Sequence, residues 1–263
     1  MGSVRSRLVA RLPFPVAKRL RALKRSLSGH WVDEAEIIAS LAPKVSRQEE
    51  AVLVDVGAHH GSVTSIFLEK GWSVIAYEPD PLNRAHLEKR FSASDRVQLS
   101  PCAVSDQPME SVALFTSSTS SGISTLSAFH ESHTPATMVK VVTLAGDLRA
   151  RGVTRVDFLK IDVEGYDFFA LKGFDWSYAP RFVLYEFENR KTVRLGYSLA
   201  DSVAFMAGRG YQVVYSVWEP IIEYGTRHRW RGLFLTPPAD VDECWGNVLA
   251  FRDPSDAAAC TSR

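Results

Sequence analysis

A run of buried-type residues closed by two glycines constrains this chain more than any other feature. Val52-Leu53-Val54-Asp55-Val56-Gly57-Ala58-His59-His60-Gly61 leads into Ser62 to Lys70 and then to Tyr77-Glu78-Pro79. The apolar stretch 51–56 is short and polar on both flanks, the pattern of a central parallel strand. Gly57 and Gly61 let the backbone come close to a ligand where a side chain would collide. Ser62 to Lys70 predicts a helix whose free N–H groups face that ligand. Glu78 follows about 20 residues after the turn, the spacing at which a carboxylate meets a ribose hydroxyl pair. A turn that merely joins strand to helix would leave Glu78 unexplained. The expected occupant is a nucleoside-containing cofactor.

The turn also says which nucleoside. A pyrophosphate lies against G-x-G-x-x-G, where bare backbone and a helix N-terminus receive it. Here the middle glycine is missing, and His59 and His60 stand where phosphate needs open backbone. Asp55 adds a negative charge that repels phosphate and attracts an ammonium or sulfonium group. S-adenosylmethionine carries both cations, a ribose and no phosphate, and is expected in preference to NAD.

The remaining chain alternates. Strands are predicted at 51–56, 73–77, 96–100, 156–161, 181–187, 211–217 and 230–236, and helices at 33–41, 62–70, 81–92, 143–150, 165–172 and 198–208. Gly71 and Gly210 sit where two of the helices should stop. This rhythm predicts an α/β fold, a mostly parallel seven-stranded sheet with helices on both faces. The last two strands have no helix between them and are expected to pair as an antiparallel edge hairpin. Residues 106–137 interrupt the pattern with many Ser and Thr, with one short strand expected at 111–115. An insertion of this length in a compact domain is more often functional than idle.

The chain of 263 residues is 46% hydrophobic, enough for one large core with extensions. Its net charge of +1 conceals an asymmetry: residues 1–30 hold eight Lys or Arg and no acid, leaving 23 basic against 30 acidic side chains beyond them. An acidic body disfavours nucleic acid as a partner. Within the basic segment, Val16, Leu20, Leu23 and Leu27 share a helical stripe over 16–28, a pattern that suits either peripheral contact with an anionic membrane or docking on the chain's own domain. Cys102, Cys244 and Cys260 are few, scattered and odd in number. That usage suggests a reducing compartment. No run is long enough to span a membrane and the N-terminus has no apolar signal core, so a cytoplasmic location is expected. The divisions read from the sequence are a basic helical extension at 1–49, a catalytic domain at 50–236 and a tail at 237–263.

Four segments together resemble the FkbM-type S-adenosylmethionine-dependent methyltransferases. They are Asp55 to Gly61 with Thr64, Glu78-Pro79-Asp80-Pro81, Ala103-Val104-Ser105-Asp106 and Lys160-Ile161-Asp162-Val163-Glu164-Gly165-Tyr166, in the family's order. The resemblance covers about residues 50 to 236. It implies a Rossmann-like class I methyltransferase fold and methylation of a hydroxyl oxygen, often on a sugar or polyketide. It also implies a cofactor set of Asp55, Gly57, Ala58, His59, Gly61, Thr64, Glu78, Pro79, Ala103, Val104, Asp106 and Asp162, with Asp106 a candidate acceptor for the adenine amino group.

Ligands of open parallel sheets bind beyond the carboxyl ends of the strands. Asp55 and Gly57 are expected to hold the amino-acid part of the cofactor and Glu78 the ribose, with 103–106 bordering adenine and Asp162 and Glu164 beside the methyl group. Lys160, Asp162 and Glu164 share a side by period two, and opposite charges ending a buried strand are costly unless paired or used. Candidate catalytic residues are Asp162, Glu164, His59, His60 and Lys160. Imidazoles suit proton removal from an acceptor hydroxyl, and His59, His60, His130 and His133 are all candidates. Mg²⁺ could be gathered by Asp162, Glu164, Glu186 and Glu188 but is not expected, and no residue is assigned as a metal ligand.

The function read from the sequence is transfer of a methyl group to a hydroxyl of a glycan, glycolipid or secondary metabolite. The alternatives are an NAD-dependent oxidoreductase and a non-catalytic module that binds a partner through the basic helix. Acceptor specificity is expected in 107–137 and 188–198, which include Asn189, Arg190, Lys191, Arg194 and Tyr197. Trp218, Tyr224 and Trp230 are candidates for stacking on a sugar face.

Overall fold

A computed structural model describes residues 32–43, 50–223 and 228–262. The proposed membrane-contact segment 16–28 and Tyr224 lie outside them. Helix α1 (Glu34–Leu41) starts at Asp33, whose side chain caps the Ala35 N–H. The cofactor-fold unit follows as β1 (Val52–Val56), α2 (Ser62–Glu69), β2 (Ser73–Tyr77), α3 (Pro81–Phe91) and β3 (Val97–Ser100). Asp80 caps α3 through the Leu82 N–H, and Pro81 occupies the first turn, where a missing N–H costs nothing. The chain continues through β7 (Phe158–Ile161), α5 (Asp167–Lys172), β8 (Phe182–Phe187), α7 (Leu199–Ala207), β9 (Gln212–Trp218), β10 (Trp230–Phe234), β11 (Trp245–Phe251) and α8 (Pro254–Thr261). Between β3 and β7 lie β4 (Ala103–Val104), β5 (Met109–Ser117), β6 (His133–Val142) and α4 (Leu144–Ala150), and the short α6 (Asn189–Thr192) follows β8.

The main sheet runs β10-β9-β11-β8-β7-β1-β2-β3. β3, β2, β1, β7 and β8 are parallel. β11 is antiparallel to both β8 and β9, and β10 adds an antiparallel edge to β9. Alternate residues of β1 serve two cores. Val54 and Val56 pack with Tyr77, Leu144, Leu159 and Met206 on one face. Leu53 packs with Phe67, Phe158, Phe182, Ile38 and Cys260 on the other. The expected α/β architecture and the β9–β10 edge hairpin are present, and the strand count rises from seven to eight.

The added strand comes from the segment read as a tail. Gly246 to Phe251 pair residue for residue with both Phe187–Phe182 and Val217–Gln212. The reason is burial: Val248, Leu249, Ala250 and Phe251 are fully buried between strands that would otherwise expose unpaired edges. α8 then packs against α1, so the last described residues belong to the same core. The insertion also differs from its expectation. In place of one short strand, β5 and β6 form a long antiparallel ribbon that pairs with β4 as a second sheet. No helix among the described residues is long and apolar enough to cross a membrane.

Candidate functional site

Beyond the carboxyl ends of β1, β2 and β7 lies a cleft of about 720 Å³, counting its open mouth. Gly57, His59, Glu78, Pro79, Ala103, Val104 and Asp162 border it, all of them among the predicted cofactor residues. Gly57 turns the chain at φ 75°, and its N–H and that of Ala58 donate to the Tyr77 carbonyl at 3.0 and 3.1 Å. The turn is thereby tied to the end of the neighbouring strand. His59 takes the left-handed region at φ 49°, uncommon for a residue with a Cβ. That conformation aims its N–H at Glu78 Oε2, 2.7 Å away. Glu78 Oε1 accepts from the Asp80 N–H at 3.0 Å. Each carboxylate oxygen has further lone pairs with which to receive a ribose hydroxyl.

Burial raises the Glu78 carboxyl to about 7, against the two backbone N–H groups that favour its charged form. A diol received by Glu78 would need the ionised carboxylate as acceptor, so such binding would select the deprotonated form. Affinity for S-adenosylhomocysteine is therefore expected to fall as pH drops through about 7, approaching tenfold per unit once the protonated form dominates. Calorimetric titration between pH 8 and pH 5.5 checks this.

Several predicted contact residues lie behind the cleft. Asp55 is fully buried, and Thr64 Oγ1 donates to its Oδ2 at 2.7 Å. Asp55 Oδ1 faces Lys160 Nζ at 3.3 Å, because Asp55 and Lys160 are register partners on adjacent strands. Lys160 donates to the Gly57 carbonyl at 2.7 Å and lies 3.5 Å from Asp162 Oδ2. Burial opposes the ammonium, but the charges of Asp162 and Asp55 outweigh it and hold Lys160 above its ordinary range. Asp55, Thr64 and Lys160 thus form a clamp beneath the turn and do not border the cleft. Ala58 is buried. Gly61 packs on Leu87 and Phe91 of α3.

The histidines divide. His59 borders the cleft with its Nε2 3.0 Å from Ser121 Oγ, and burial together with the neighbouring His60 lowers it to about 4. The neutral imidazole is its form near pH 7. His60 stacks on His59 at 3.8 Å but does not border the cleft. His130 and His133 lie at the base of the β5–β6 excursion: the His133 ring accepts the N–H groups of Phe129 and His130 and contacts the Ile123 carbonyl. They hold the loop and stay out of the cleft.

Asp106 ion-pairs with Lys172 at 2.8 Å, away from the cleft wall. The period-two argument holds for Lys160 and Asp162 but fails at Glu164. β7 ends at Ile161, and Glu164 adopts φ 55°, which carries its side chain to Lys191. Lys191 also reaches Glu188 at 2.8 Å and Glu186 at 3.4 Å. Burial raises Glu164 to about 7 despite that ammonium. Asp162, Glu164 and Glu186 bring carboxylate oxygens within 4.8 Å of one another, with the Lys191 ammonium beside them.

A family model described as the methyltransferase FkbM domain matches residues 55–213. The chain belongs to this family. It is an S-adenosylmethionine-dependent methyltransferase, and the oxidoreductase reading falls away. No curated sequence matches it. Among solved structures it is similar to precorrin-6y C5,15-methyltransferase from Geobacter metallireducens GS-15, with TM-score 0.42 and 11% identity over 81% of this chain and 85% of that one. A TehB-like methyltransferase from Corynebacterium glutamicum ATCC 13032 gives TM-score 0.42 and 14% identity over 89% and 95%.

In this FkbM chain the cleft's outer wall comes from the insertion 106–137, which the sequence marks as functional without singling out its lining residues. Ser121, Gly122, Ser124 and Thr125 border it from the β5–β6 excursion. The excursion is fastened by Asn83 Nδ2 to the Ser121 carbonyl, Ser124 Oγ to Asp80 and Thr125 Oγ1 to the Glu164 carbonyl. Its length was the only sequence signal. Of the residues expected to set specificity, Asn189 and Tyr197 are spent on the fold: Asn189 Oδ1 accepts the Leu199 N–H and the Tyr197 hydroxyl donates to the Gly165 carbonyl.

Proposed function

We propose that this methyltransferase moves the methyl group of S-adenosylmethionine to a hydroxyl oxygen of a glycan, glycolipid or related secondary metabolite. The observation that carries the donor side is the pairing of two carboxylates across one cleft, Glu78 just after β2 and Asp162 just after β7, with no Lys or Arg on its wall among the described residues. Such a lining suits a ligand that carries a diol and positive charge, and disfavours a pyrophosphate. The cofactor supplies an electrophilic methyl group when bound. Glu78 then receives the ribose hydroxyls, Ala103 and Val104 offer apolar contact to the base, and Asp162 faces the cationic end.

Methyl transfer is an in-line displacement, so alignment supplies most of the acceleration. The Lys160 clamp fixes Gly57 and Asp162 relative to each other, and the fastened excursion excludes water from the donor. His59, neutral near pH 7, serves this site through its backbone N–H and its bond to Ser121.

Glu78→Ala is expected to weaken S-adenosylhomocysteine binding by about 100-fold or more, the loss of two hydrogen bonds to a charged group. Calorimetry measures the affinity, and an unaltered melting profile shows that the fold survives. Undiminished affinity in a folded variant would remove this cleft as the donor site.

A further inference from the structure

Five neighbouring strands change character on one face of the main sheet. On β1, β7, β8, β11 and β9 that face begins with Leu53, Phe158, Phe182, Phe251 and Val214, all fully buried and apolar. Toward the end that holds the donor cleft, the same face carries Asp55, Lys160 with Asp162, Glu186, Asn247 and Ser216. These are consecutive across the sheet: Asp55 pairs with Lys160, Glu186 with Asn247 and Asn247 with Ser216. Packing alone does not ask for such a row, since buried polar groups are costly without partners. Over this row lies a second cavity of about 630 Å³, counting its mouth, lined by Asp162, Glu186, Asn247, Trp218, Trp245 and His228. Asp162 borders both this cavity and the donor cleft.

Resting on the donor reading above, we propose that this second cavity receives the methyl acceptor, that the acceptor is a saccharide ring without acidic groups, and that Glu186 takes the proton of its attacking hydroxyl. A wall shared through Asp162 is what an in-line transfer between two pockets requires. The half-buried Trp245 stacks on the buried Trp218 at 5.5 Å and gives this wall one aromatic surface of the kind that lies against a sugar face. Trp218 is held in place because its Nε1 donates to Glu34 Oε1 at 2.8 Å, an oxygen that also accepts from Ser216 at 2.7 Å. The Trp245 Nε1–H is buried and has no hydrogen-bond partner among the described residues, as for a donor awaiting a ligand oxygen. Asn247 adds a polar group for ring hydroxyls.

Charge narrows the class. Among the described residues, Asp33, Glu34, Asp162 and Glu186 line the cavity and no Lys or Arg does, the Lys191 ammonium reaching Glu186 from outside it at 3.4 Å. A uronate or phosphorylated sugar would meet the carboxylates of Asp33 and Asp162 at short range. In the transfer step the acceptor oxygen forms its bond to the methyl carbon as the carbon–sulfur bond breaks, with its electron pair leaving on sulfur. The hydroxyl proton passes to Glu186, so the step balances without oxidant or metal. Burial and the nearby Glu164 raise Glu186 well above the ordinary carboxylate range against the Lys191 ammonium 3.4 Å away, toward the basicity that proton removal needs.

The test uses the full-length protein in three arms. S-adenosylhomocysteine titration of the wild type stands first, because failure there strikes the donor reading and not this one. With the product bound, tryptophan fluorescence is titrated with panels of neutral methyl glycosides, 2-amino-2-deoxy glycosides and methyl glycuronides. Saturable quenching by a non-acidic glycoside, weakened at least tenfold in Asn247→Leu, is the expected result. Silence across the panels, or glycuronides binding as tightly, would overturn the acceptor class. Labelled methyl transfer to the best-binding glycoside completes the test. Glu186→Gln should lose about 100-fold or more in kcat, within the usual range for a general base, while KM and product affinity stay near wild type. An unchanged kcat would remove Glu186 from the proton transfer.

Discussion

Lys160→Met is expected to destabilise the protein by about 3–5 kcal/mol, the cost of leaving one side of a buried ion pair uncompensated. In a domain of this size that corresponds to a fall in melting temperature of about 10 °C. Two features put the effect at the high end for a point substitution. The Asp55 side chain has no solvent exposure, and Lys160 itself is buried. The ammonium also gathers the Gly57 and Val56 carbonyls at 2.7 and 3.3 Å, so its loss strips partners from the turn as well. The double variant Lys160→Met with Asp55→Leu separates the contributions. Removing both charges should recover much of the stability, because the unpaired carboxylate is gone. Product binding should stay poor in both variants, because the turn and Asp162 lose their common anchor. Calorimetric melting gives the first quantity and isothermal titration the second. A single variant that melts within 2 °C of wild type would mean that the clamp holds nothing.

The same clamp shows what the sequence could and could not reveal. The β1–α2–β2 unit was legible because five-residue apolar strands and two glycines leave few alternatives. Glu78 was legible because its distance along the chain is fixed by one helix and one strand. Asp55 was misplaced, since a polar residue near a strand end reads alike whether it faces a ligand or a neighbouring strand. Only the register with Lys160 decides, and register is a long-range property. Glu164 was misplaced because period two applies only while the chain is extended, and the chain leaves β7 after Ile161. β11 was missed for a related reason. Its partners on β8 and β9 lie far back in the chain, and the two prolines before it look like the start of a tail. The second cavity has residues from α1, β8, β9, β11 and the turn after β7, so no local motif could contain it.

Gly57→Ala should be more damaging than any other glycine substitution that shares its backbone angle, and the comparison with Gly210→Ala isolates the cause. Both glycines sit in the left-handed region, at φ 75° and 81°, where a Cβ costs about 1–2 kcal/mol. A Cβ at Gly210 would meet nothing within 4 Å, so that cost is the whole expected effect. A Cβ at Gly57 would lie 1.9 Å from the Asp162 carbonyl oxygen, which belongs to backbone and cannot rotate away. Relief requires β1 and β7 to part by about 1 Å, against close packing that transmits strain rather than absorbing it. That movement stretches the bond from the Asp162 N–H to the Val56 carbonyl, now 3.1 Å, and pulls Lys160 from the Gly57 carbonyl. The expected loss is about 4 kcal/mol or more, in the range reserved for strained backbone and broken buried networks. Urea unfolding should place Gly210→Ala slightly below wild type and Gly57→Ala far below it, or leave the latter without a folded baseline. Asp162 borders both cavities, so any folded fraction of Gly57→Ala should also bind S-adenosylhomocysteine weakly. Equal midpoints for the two variants would show that left-handed strain alone acts at Gly57, and that the strand ends do not approach as closely as the turn demands.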